Sequence, residues 1–168
     1  MTIQDFKEQL IIAKNQTNSL IEGIDFSKWL VTPEIVKTNL DWQIGHIILA
    51  NYLHGIASIT GPNLKIRELI NVADFTKFYG PKSVPSDNVN DKLSTNKLLE
   101  VYNFIYQEIE FSLNEINDTN LADATAVPNP SAKTKLDALN RLMNHIFWHN
   151  GQIAILVRVL KEIDNGNQ

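Results

Sequence analysis

The apolar stripe Leu139, Leu142, Ile146, His149, Ile153, Leu156, Leu160 constrains this chain more than any other feature of it. Its members recur at alternating steps of three and four. That spacing keeps one face of an α-helix apolar for about six turns. A helix written this way must bury its face against something, and three more stretches carry the same period. The first runs from about Ile3 to Glu22 through Ile3, Phe6, Leu10, Ala13, Thr17 and Leu20. The second carries Trp42, His46, Leu49, Leu53 and Ile56 and stops near Thr60, where Gly61-Pro62 ends a helix. Its start has two candidate caps: Thr32 followed by Pro33, or Asn39. The third begins after Ser94 and reaches about Ile116 through Leu98, Tyr102, Ile105 and Ile109. The fourth spans about Thr134 to Ile163.

No segment reads convincingly as a strand. Four mutually burying stripes predict an all-α chain, a four-helix bundle forming a single domain over residues 1–168. The link from Gly61 to Leu93 is the longest and holds Pro62, Pro81 and Pro85. A helix of about 20 residues is roughly 30 Å long, and this link can cross that distance. The expected topology is therefore up-down-down-up, with a long crossover between helices two and three and with helices two and four antiparallel. A crossover without strong periodicity is also expected to be a loop that covers a site.

Composition narrows the function. With 168 residues, 43% of them hydrophobic, the chain is long enough for a sizeable core. A net charge of −4 and the lack of any basic block argue against nucleic acid as a partner. The absence of cysteine excludes disulfides, thiolate zinc sites and a thiol nucleophile from the chain itself. The opening MTIQDFKEQL shows no charged-then-apolar leader, and no apolar run is long enough to cross a bilayer. The expectation is a cytoplasmic protein without a membrane partner.

Histidines carry the chemistry. His149 is part of the fourth stripe, and His145 lies one turn earlier, about 40° round the helix. His46 takes a core position in the second stripe, between Trp42 and Leu49. Three imidazoles facing one core need partners, because an unsatisfied buried polar group costs about 1–3 kcal/mol. A divalent metal is one answer and leaves positions open for water or substrate. Hydrogen bonds to neighbouring helices are the other, and an i, i+4 pair alone does not choose between them. His54, about 12 Å along the helix from His46, is expected to be a solvated or hydrogen-bonded surface residue.

The string His145-Ile-Phe-Trp-His149-Asn-Gly151-Gln152 resembles the H-x-x-x-H-x-G-Q signature of the DinB-like (DinB/YfiT) superfamily. Trp42-Gln-Ile-Gly45-His46 is similar to that family's W-x-x-G-H segment. The resemblance implies an up-down-down-up bundle with His46, His145 and His149 as metal ligands, and nickel or zinc as the ion. It also implies homodimers and, for some members, thiol-dependent S-transfer or isomerisation with a low-molecular-weight thiol as co-substrate. Around the ligands, Trp42 and Trp148 are expected in the core or as pocket wall. Gln152 would bond within the bundle or hold a ligand ring, and Gly151 would permit close helix packing. Asn144 and Asn150 would face water.

Other motifs carry less. Ser94-Thr-Asn-Lys97 and Ser86-Asp87-Asn88 match serine β-lactamase strings, but in reversed order, without KTG and without the strands of that fold. No carboxylate pair can be assigned acid and base roles, so the catalytic residues are unknown at this stage. The leading expectation is a metal-dependent enzyme of S-transferase or hydrolase type acting on a small molecule. Its rivals are a non-catalytic, metal-dependent small-molecule binder and a purely structural bundle.

Overall fold

The computed structural model describes residues 1–166; residues 167–168 of the expected 1–168 domain lie outside the described residues. The chain is mostly helical, with one small antiparallel sheet. Helix α1 (Ile3–Ile21) opens with a reciprocal cap: Thr2 Oγ1 accepts from the Asp5 N–H, and an Asp5 oxygen accepts from the Thr2 N–H. It buries Ile3, Phe6, Leu10, Ala13 and Thr17, which are stripe positions.

Helix α2 (Leu40–Asn51) starts at Asn39, whose Oδ1 accepts from the Trp42 N–H at 2.8 Å. The rival cap, Thr32, instead has its hydroxyl accept from Asn39 Nδ2 at 2.9 Å. Nearly every face of α2 is buried, so its apolar period is weak although its place is central. A π-helical turn, Tyr52–Ala57, continues it into the short α3 (Ser58–Thr60). Gly61, at φ +101°, ends the run in a conformation that suits glycine.

The crossover is not the irregular loop expected from its sequence. It holds α4 (Leu64–Leu69) and α5 (Val72–Tyr79), capped by Asn63 and Asn71. Helices of six and eight residues are too short to reveal a 3.6-residue period, which is why the sequence hid them. α5 packs on α2 and buries Phe75, Phe78 and Tyr79.

Helix α6 (Thr95–Asn114) is capped by Ser94. A hairpin follows, β1 (Ala124–Asn129) paired with β2 (Ala132–Thr134), and it corrects the expectation of no strand. Pro128 and Pro130 and its small size mask the alternation that marks longer strands. The last element, α7 (Lys135–Gly166), buries all seven members of the founding stripe. α7 packs on α1 and α2, and α6 packs on α2.

A polar tie crosses this core. Asn150 is buried, not solvated: Thr17 Oγ1 donates to its Oδ1 at 2.6 Å, and its Nδ2 donates to the Ala13 carbonyl at 3.1 Å. Truncation removes the amide that ties Thr17 and Ala13 of α1 to α7 and leaves a buried gap, with only the Thr17 Oγ1 bond to the Ala13 carbonyl, 3.0 Å, remaining inside α1. Asn150→Ala is expected to cost about 1–3 kcal/mol in urea unfolding, against little change for Asn144→Ala on the exposed side of the same helix.

Candidate metal centre

Three helical turns bring His46, His145 and His149 to one place. One nitrogen from each ring lies within 4.8 Å of the other two. His46 and His149 are buried and His145 is partly so. Among the described residues this group is imidazole alone, without a carboxylate.

Hydrogen bonds fix which nitrogen two of the rings offer. His46 Nδ1 stands 2.6 Å from the main-chain carbonyl of Tyr79. A carbonyl only accepts, so Nδ1 carries the proton and Nε2 keeps a bare lone pair. His149 Nδ1 stands 2.6 Å from Gln43 Oε1. The Gln43 amide is oriented from its other end, where Nε2 donates to Gln152 Oε1 at 2.9 Å and to Thr38 Oγ1 at 3.0 Å. Gln43 therefore presents its oxygen to His149, whose Nε2 is likewise left bare. His145 Nε2 lies 3.2 Å from His46 Nε2, while its Nδ1 is buried without a partner.

The residues suit a metal on this arrangement. Two bare lone pairs converge, and the 3.2 Å contact needs either a proton or a cation between the nitrogens. Two ligands of a tetrahedral zinc, each ~2.0–2.1 Å from it, stand roughly 3.3 Å apart. Burial pushes the rings toward their neutral, ligating form. His145 is held down to about 3 by burial, then by the charges of His149, His46, His54 and Arg141. His149 is held down to about 4 by burial and then by His46. His46 is also lowered by burial, against the pull of the Tyr79 carbonyl.

Local packing explains the positions. The Trp42 indole stacks on His46, ring centres 4.7 Å apart and 7° from parallel, and its Nε1–H donates to Ser83 Oγ at 2.8 Å. Any Cβ on Gly45 would overlap the Tyr79 ring, so this glycine lets α5 bring its last carbonyl to His46. Lys92 and Asp41 form a buried ion pair at 3.3 Å, and the Tyr79 hydroxyl also reaches Asp41, at 3.5 Å. Burial pushes the Asp41 carboxyl up, offset in part by the Lys92 ammonium.

Several expectations change. Trp148 is 65% exposed and is not part of the core, because it lies one residue, roughly 100°, off the stripe. Gly151 has open space where a Cβ would be, so close packing is not its role. Gln152 joins the network that orients His149, through Gln43. His54 is buried, 5% exposed, not a surface residue; the π-helical turn rotates it inward from the face a regular helix would give it. Gln43 was missed, although it precedes His46 by three residues on the same face and could have been found by that rule. The Tyr79 carbonyl is a main-chain group and left no signal.

Two outcomes follow for the metal-free protein. Each lowered histidine binds its proton more readily in the unfolded chain, near the ordinary 6.5, than in the folded protein. Stability present above about pH 6.5 is therefore lost as pH falls toward about 4, and the thermal midpoint should drop across that window. A flat profile would contradict the burial of neutral rings. Gly45→Ala should cost about 1–3 kcal/mol or more by overpacking, whereas Gly151→Ala should be neutral or stabilise by up to about 1 kcal/mol; paired urea melts measure both.

The sequence model of the family described as "Protein of unknown function (DUF1572)" matches residues 82–166, half of the chain. The matched part carries α6, the hairpin and α7 with His145 and His149, and stops short of His46. No curated protein and no solved structure gives a significant match. The chain belongs to the DUF1572 family.

Proposed function

We propose that this protein binds one divalent ion through Nε2 of His46, His145 and His149, and that it is a metal-dependent enzyme of the DinB-like type. The convergence of two bare Nε2 lone pairs, each fixed by a hydrogen bond at the opposite nitrogen, carries the reading. A structural pair of histidines would need only one such partner each and would not need to aim its free nitrogens at a third ring. The H-x-x-x-H-x-G-Q string adds support, as does the W-x-x-G-H segment in α2. In this proposal the four long helical runs form the up-down-down-up bundle.

The bound ion, nickel or zinc by that likeness, would supply Lewis acidity to a water or a low-molecular-weight thiol. The chain's own residues hold the ligands in place. Tyr79 and Gln43 keep the protons of His46 and His149 on Nδ1, away from the cluster. Trp42 blocks rotation of His46 by stacking on it. His145, partly exposed, is the side from which a small substrate reaches the site. The absence of cysteine requires any reacting thiol to come from a second substrate. S-transfer is the preferred reaction and hydrolysis its neighbour. Homodimeric assembly and a cytoplasmic location belong to the same proposal and come from the resemblance alone.

Metal analysis tests the centre. Protein purified without a histidine tag should carry close to one divalent ion per chain, and His149→Ala should lose it while keeping its helical circular dichroism. Equal metal content in both would end the ligand assignment. Turnover of a thiol with a reactive electrophile, abolished by chelation and restored by nickel or zinc, separates an enzyme from a binder.

A further inference from the structure

The fourth histidine lies beside the cluster without belonging to it. The ring centre of His54 is 6.5 Å from that of His145. Its Nδ1 stands 2.9 Å from Asn129 Nδ2, at the tip of the hairpin. The orientation of that amide is fixed twice over. Asn129 Oδ1 accepts from the Ser131 N–H at 2.9 Å. Asn129 Nδ2 also donates to Ser58 Oγ at 2.9 Å, whose own hydrogen goes to the Leu53 carbonyl at 2.7 Å. Asn129 thus turns its NH2 group, a donor, toward His54. The Nδ1 of His54 must accept, and the neutral ring carries its proton on Nε2. A second proton on Nδ1 would face the amide hydrogens, so this imidazole is a neutral donor whose N–H lies on the edge away from the hairpin.

A cation accompanies it. Arg141 lies one turn before His145 on α7, on the same face. Its charge acts on both His54 and His145. Among the described residues no carboxylate forms an ion pair with Arg141, and none belongs to the histidine cluster. The edge of the site on this side therefore offers hydrogen-bond donors and positive charge.

We propose that His54 Nε2–H and the Arg141 guanidinium form an anion-recognising edge next to the His46–His145–His149 centre, and that the substrate is a small molecule bearing a carboxylate. This inference rests on the metal reading above. The planar pair of guanidinium N–H groups matches the two oxygens of a carboxylate, and the fixed imidazole N–H adds a third donor without a proton to lose. Asn129 is a positioning residue: it acts on the ligand only through the tautomer of His54.

Acetate binding to cobalt(II)-loaded, tag-free protein, read in the visible spectrum, tests the edge, with acetamide as the neutral probe of the same shape. The wild-type protein should prefer acetate. Arg141→Gln and His54→Phe should each weaken acetate by about tenfold, leaving acetamide affinity and cobalt content unchanged. Asn129→Leu should give a smaller loss. Arg141 is exposed, so its variant keeps the fold and the test does not depend on a core substitution. Equal acetate affinity in the wild-type and Arg141→Gln proteins, with equal cobalt content, overturns this inference and leaves the metal reading intact. Failure of the wild-type protein to take up cobalt overturns the metal reading and this inference with it. In the metal-free protein, nitrogen-15 NMR should show His54 as the Nε2–H tautomer; the Nδ1–H form would overturn the proposal independently of any metal.

Discussion

The main-chain carbonyl of Tyr79 accepts a 2.6 Å hydrogen bond from His46 Nδ1, and much of the structure is arranged to allow it. α5 must end beside the middle of α2, so the crossover folds back over that helix. Gly45 must lack a side chain so that the Tyr79 ring can lie against the helix. The buried Lys92–Asp41 pair and the Trp42–Ser83 bond then fasten the rest of the crossover to the same turn. Such a pair contributes little net stability, because desolvation of both charges offsets their attraction, but removal of either partner leaves a lone buried charge. The crossover is thus fixed in register more than it is stabilised.

The electrostatic character of the centre follows from its composition. Imidazoles without carboxylates form a cluster that is neutral when empty and gains the full charge of any cation it takes up. Burial keeps the rings unprotonated well below neutral pH, so a cation need not compete with bound protons on them at ordinary pH. The single proton that the short His145–His46 contact requires is the one that must move or leave when an ion enters.

Side-chain periodicity was legible and main-chain geometry was not. The stripes of α1, α6 and α7, the caps at Asn39 and Ser94, and the presence of three histidines on inward faces all follow from spacing. What spacing cannot show is where a carbonyl ends up, and the partner of His46 is a carbonyl. Nor can it show a departure from 3.6 residues per turn: the π-helical turn moved His54 from a polar line into the core. The short helices of the crossover fell below the length at which a period is countable. The core reading of Trp148 failed for the opposite reason, since its aromatic character suggested burial where its position did not.

The widened turn at Tyr52–Ala57 has a consequence for how this chain can change. It gives the run from Leu40 to Thr60 one residue more than a regular helix would use over the same height. Deleting one residue there would heal the helix, yet it would swing His54 away from Asn129 and part Ser58 from the hairpin. An insertion or deletion between His46 and Gly61 would therefore change the angular placement of His54 and Ser58 relative to the cluster, even where it left the helix itself continuous.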